Sequence, residues 1–221
     1  MYRRRFVVLI LGGALSWTLV SAAETTGLEV DSSGTVLFFG DSLTAGLGVR
    51  PDESFPALIQ QQIKAECLPF RVINAGLSGE TSAGGLRRID WVLQQRVDLL
   101  VIELGVNDGL RGISLTATRK NLQGIIHRSR AAHPKAHIVL AGMQIPPNLG
   151  SEYTASFRSL FAELAQENST LLIPFLLEGV GGDEALNLPE GHRRVAQNVW
   201  EILAPALRGA GTSRPTTPPK N

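Results

Sequence analysis

The sequence predicts an α/β domain in three layers, with a parallel, five-stranded sheet covered by helices on both faces. Three observations carry this. Short apolar runs rich in β-branched and aromatic residues alternate with segments whose apolar residues recur at helical spacing. Strands alternating with helices connect through right-handed βαβ crossovers, which build parallel sheets buried on both sides. The first three strands each end in a loop rich in Gly, Ser or Asn. Five strands in this order fit a flavodoxin-like, doubly wound arrangement, in which those loops meet at one sheet edge, where such folds place ligands.

The stretch Thr35 to Val49, T-V-L-F-F-G-D-S-L-T-A-G-L-G-V, organises the rest. Its apolar run, Val36 to Phe39, stops at Gly40-Asp41-Ser42, a turn residue followed by two good helix caps. Ser54 to Glu66 carries Phe55, Leu58, Ile59 and Ile63 at helical spacing, and Phe70 to Ile73 reads as a short second strand. Asn74 to Gly85 is a loop, and Leu86 to Gln95 a short helix. Asp98 to Leu104 is the most apolar strand and ends in Gly105-Val106-Asn107-Asp108-Gly109. A helix over Thr116 to Arg130 leads to a strand from His137 to Ala141. The loop Gln144 to Gly150, a helix over Ser151 to Gln166 and a strand over Thr170 to Pro174 follow. The last helix runs from about Glu190 to Leu207.

A chain of 221 residues, 43% of them apolar, is long enough for one domain with a full core. The net charge of +1 gives no footprint for nucleic acid or an acidic partner. Residues 1–23 read as a signal peptide: three arginines before Phe6, an apolar run to Val20, then Ser21-Ala22-Ala23 for cleavage. Export to the periplasm or medium is therefore expected, with an uncleaved anchor as the alternative. The domain is expected over 24–208. Residues 209–221, rich in Gly, Ser, Thr and Pro, form an expected disordered tail. Cys67 is the only cysteine, so no internal disulfide forms, and it is expected to be a buried apolar residue.

Ser42 is placed at the carboxyl end of a central strand, beside backbone N–H groups left free at a helix start. That suits a nucleophile next to an oxyanion site, and it equally suits a serine that merely caps a helix. Read as a phosphate cradle, the Gly-rich loops lack both a P-loop lysine pattern and a dinucleotide fingerprint.

Three blocks, G-D-S-L-T at Gly40 to Thr44, N-A-G-L-S-G-E-T-S at Asn74 to Ser82 and G-V-N-D-G at Gly105 to Gly109, resemble those of the SGNH (GDSL) hydrolases. The resemblance is to the bacterial arylesterase and thioesterase I branch and runs from about Thr35 to Leu207. It implies the SGNH three-layer fold and a serine hydrolase of carboxylic esters or thioesters, of arylesterase, acyl thioesterase or lysophospholipase type. It needs no cofactor and no metal, and a monomer acting on a small acyl ester, thioester or lysolipid is expected. Ser42 matches the nucleophile, whose own N–H is one oxyanion donor. Gly79 matches the glycine with the second donor N–H, and Asn107 the asparagine whose amide is the third. Asp41 and Asp108 are expected to order their loops. The loop Gln144 to Gly150, Q-I-P-P-N-L-G, resembles the substrate-side loop of that branch, and Ile145 and Leu149 suit an acyl chain or plain packing.

The fourth block departs from the family. No Asp-x-x-His, which supplies the general base and the carboxylate orienting it, occurs anywhere in this chain. Relatives carry Asp-Gly-Ile-His-Pro-Asn between segments like Leu186-Asn187-Leu188-Pro189 and Glu190-Gly191-His192-Arg193. One alignment is a deletion of about seven residues, which leaves His192 as a packing or capping residue at the helix start. The other treats Pro189 to His192 as a compressed block, with Glu190 orienting a catalytic His192. A helix beginning at Glu190 makes those two side chains diverge, from 3.6 residues per turn. His127, His133 and His137 are expected on the surface, away from the site. Without its base the serine keeps only a residual rate. Two functions follow: an impaired hydrolase, or a non-catalytic binder of acyl ligands.

Overall fold

The computed structural model describes residues 34–181 and 185–212. The expected signal peptide lies outside them, as does the expected tail beyond residue 212. Five parallel strands, β1 (Gly34–Gly40), β2 (Phe70–Gly76), β3 (Leu99–Glu103), β4 (His137–Ala141) and β5 (Leu171–Ile173), form one sheet in the order β2-β1-β3-β4-β5. The order reverses between β1 and β3, so their outgoing loops leave on opposite faces and open a crevice between them. β1 is buried along its whole length, as a strand covered on both faces must be.

Adjacent residues of β1 reach opposite layers. Phe38 meets the ring of Phe55 edge-on at 5.4 Å, and Phe55 opens α2 (Phe55–Ala65), which packs on the last helix, α7 (Pro189–Thr212). Phe39 lies under the Arg88 guanidinium at 4.3 Å, on α3 (Ser82–Val92). α3 packs on α5 (Leu115–Ala132), and α5 on α6 (Ser151–Glu167). Two short helices sit at the carboxyl edge: α1 (Ser42–Ala45) after β1 and α4 (Val106–Leu110) after β3.

Several boundaries differ from the sequence expectation. α3 begins at Ser82 rather than Leu86, because Thr81 caps it by accepting from the Gly84 N–H. Its glycines serve close packing, since a Cβ on Gly85 would lie 2.4 Å from Leu104 Cδ1. The helix that replaces the expected end near residue 207 continues to Thr212, so residues 209–212 are helical rather than part of a disordered tail. Cys67 is exposed, not buried, in a left-handed turn that closes α2 (φ 53°).

Candidate active site

β1 runs into the site through Gly40, where a Cβ would stand 2.1 Å from Thr44 Oγ1 and 2.5 Å from Glu103 Oε2. Only glycine lets those groups close under the turn. Asp41 then caps α1, its Oδ1 accepting from the Leu43 N–H at 3.2 Å. Its Oδ2 accepts from Asn107 Nδ2 at 3.0 Å, across the crevice from α4. Asn107 Nδ2 also donates to the Glu80 carbonyl at 3.0 Å, which joins the loop after β2 to the other two. Ser42, half-buried beside Asp41, makes no side-chain hydrogen bond to the described residues and opens onto a cavity of about 290 Å³. Asn107, Gln144 and Asn187 share that cavity, and leucine, valine, methionine and proline side chains form most of its wall.

Gly79 stands on the loop after β2 at φ 77°, a conformation that L side chains rarely adopt. Its N–H makes no hydrogen bond among the described residues, and its carbonyl accepts from Arg111 Nη2 at 3.2 Å. Glu80, next to it, is buried and held by Arg88, which also donates to the Ala75 carbonyl at 2.8 Å. Asp108 orders its loop as expected: it accepts from the Ser82 N–H at 2.8 Å and from Thr118 Oγ1 at 3.3 Å.

The sequence reading missed Glu103. It ends β3 completely buried, and its Oε2 accepts from Thr44 Oγ1 at 2.7 Å and from the Asp41 N–H at 3.1 Å. Its Oε1 has no partner among the described residues. Burial, and then the nearby Asp41 carboxylate, push its pKa well above the carboxylate range. Burial also raises Asp41, to about 6, against the hydrogen bonds from Leu43 and Asn107 that favour its charged form. A lone acidic residue closing the apolar run D-L-L-V-I-E was the available signal.

His192 sits apart from this cluster. α7 starts at Pro189, so Glu190 points outward and pairs with Arg193. His192 is fully buried, stacked on Phe55 at 6.4 Å, and its Nδ1 accepts from the Phe55 N–H at 3.2 Å. Burial lowers its pKa, and the Leu47 carbonyl offsets part of that. The proton therefore sits on Nε2, which reaches no partner at hydrogen-bonding geometry among the described residues. His127 and His137 are exposed, and His133 meets the Leu93 carbonyl at 3.0 Å, near the amino ends of the strands. None of the four histidines lines the Ser42 cavity. Among the described residues no three His, Cys, Asp or Glu side chains gather as metal ligands.

Residues 38–196 match the model of the GDSL-like Lipase/Acylhydrolase family. The chain is 37% identical to Esterase TesA of Pseudomonas aeruginosa, over 90% of this chain and 98% of that protein. It is 35% identical to Thioesterase 1/protease 1/lysophospholipase L1 of Escherichia coli, over 67% of this chain and 70% of that one. Among solved structures, the esterase EstA from Pseudoalteromonas sp. superposes with a TM-score of 0.72 at 31% identity, covering 80% of this chain and all of its own. The five-stranded parallel sheet, the G-D-S turn at its switch point and these matches agree: the chain belongs to the GDSL-like lipase and acylhydrolase family, the SGNH hydrolases.

Proposed function

We propose that this chain is an exported acyl-ester and thioester hydrolase of the family in which Ser42 works without an imidazole and turns over slowly. One observation carries the reading: Ser42 and Asn107 share an apolar cavity that none of the chain's histidines lines. Ser42 is the nucleophile, and its own N–H, the Gly79 N–H and the Asn107 amide are the oxyanion donors. Asn107 enters that role at a cost, because the Glu80 carbonyl already holds its amide and competes with the substrate. A serine hydroxyl without a base is a weak nucleophile. What remains is the pull of the donors and of binding, about 10³–10⁴ over water for a site without its full triad.

A non-catalytic acyl binder is the second reading, favoured by Gln144 and Asn187 on the cavity, whose side chains make no hydrogen bond to the described residues. Hydrolysis of p-nitrophenyl butyrate by the chain from Glu24 separates the two. A slow hydrolase loses its rate over background in Ser42→Ala and keeps it in His192→Ala. Equal rates for wild type and Ser42→Ala leave the binder. A drop of three orders of magnitude in His192→Ala, with the fold intact, makes His192 the base and overturns the proposal.

A further inference from the structure

Seven large apolar side chains are exposed among the described residues, and five of them are leucines at the carboxyl edge of the sheet. Leu47 follows β1, Leu77 follows β2, Leu110 ends α4, Leu149 lies in the loop after β4 and Leu188 precedes α7, each between 41% and 55% exposed. The other two, Trp91 and Leu171, lie at the end of α3 and the start of β5.

The five form a connected rim. A Cβ on Gly48 would touch Asn187, so the Leu47 loop abuts the segment carrying Leu188. Gly112 faces Leu149 Cδ1 across 3.9 Å from its Cβ direction, which brings Leu149 beside the loop of Leu110. Arg111 reaches the Gly79 carbonyl and ties that loop to the one bearing Leu77. Leu47 and Leu110 also belong to the wall of the Ser42 cavity, so apolar surface continues from rim to interior.

We propose that this rim docks the domain on the surface of a zwitterionic phospholipid layer, with the Ser42 cavity facing the lipid. A protein partner favours an apolar centre within a polar rim. Here the centre is a cavity and the rim is apolar, which suits a layer that can send an acyl chain into the opening without crossing water. Two groups of charges beside the rim are paired locally. Arg50 pairs with Asp52 and Glu53, and Arg193 with Glu190. Arg111 has no carboxylate partner among the described residues and stands ready for a headgroup phosphate. No helix among the described residues is long and apolar enough to cross a membrane, so the contact is a shallow one made by the leucines. The docking does not depend on whether Ser42 turns over.

The chain from Glu24, without the expected signal peptide, is the test object. It is sedimented with phosphatidylcholine vesicles beside the variant Leu77→Ser/Leu188→Ser, two positions outside the cavity wall. The wild type is expected in the pellet, with a partition constant about tenfold or more above the variant's. Butyrate hydrolysis of the soluble substrate is expected to be equal in both. A wild type that stays in solution overturns the proposal, as does a variant that pellets equally. Binding only to vesicles containing phosphatidylserine would assign the contact to charge instead of leucine. A wild-type dimer that the double substitution makes monomeric would assign the rim to a second copy of the chain.

Discussion

Asp41 and Glu103 are two carboxyl groups folded under the nucleophile, and only the folded chain makes them neighbours. Their pKa values are raised for the same reason, the loss of water, so each binds a proton more tightly folded than unfolded. Stability from Asp41 is then complete below its unfolded pKa near 3.8 and is lost as pH rises through about 6. The shift amounts to about 3 kcal/mol at most. Urea denaturation of wild type and Asp41→Asn should show the wild type losing ground to the variant between pH 3.5 and 7. A wild type that gains over that interval would mean a depressed pKa and an Asp41 charged at all working pH. At this scale the resemblance of three blocks to the family assigned Ser42, Gly79 and Asn107, and the pattern of strands set those blocks at strand ends. Glu103 was not, because nothing local says that an acid closing an apolar run turns inward. His192 could not be placed either way, since its partner is the Phe55 N–H, 137 positions away.

Helix ends follow capping and contact more than periodicity. α3 contains Gly84 and Gly85, residues that local propensity treats as breakers. Gly85 is admitted because α3 lies tight against Leu104 just after β3, Gly84 because it abuts the Glu80 side chain, and α7 extends through Gly209 and Gly211 because its buried face continues to Leu207. The two cases predict opposite responses to the same change. Gly85→Ala drives a methyl into Leu104 and Phe39 and should cost about 1–3 kcal/mol in denaturant unfolding. Gly209→Ala meets nothing within 4 Å and should stabilise a helix there by about 0.5–1 kcal/mol. No change at Gly209 would restore the expectation that the chain is unstructured from that residue on.

Across the whole molecule, the length of the connection from β5 to α7 decides what faces Ser42. Here Leu186 and Asn187 line the cavity, and α7 follows at Pro189 with its first turn directed at α2. Inserting Asp-Gly-Ile-His-Pro-Asn after Pro189 should therefore raise Ser42-dependent hydrolysis of p-nitrophenyl butyrate by about 10³-fold or more. A folded insertion variant at the wild-type rate would mean that something other than a missing base limits the site. The sequence alone determined the layer architecture, because alternating strand and helix patterns leave few chiral solutions. It also determined that Ser42, Gly79 and Asn107 share an edge, because strand order sends three loops to one switch point. Tertiary structure decided the rest: that Glu103 supports the Ser42 turn, that His192 turns into the core, and that five separate leucines make one rim. Those are contacts between residues far apart in the chain, and burial and hydrogen bonding choose them only once the layers have closed.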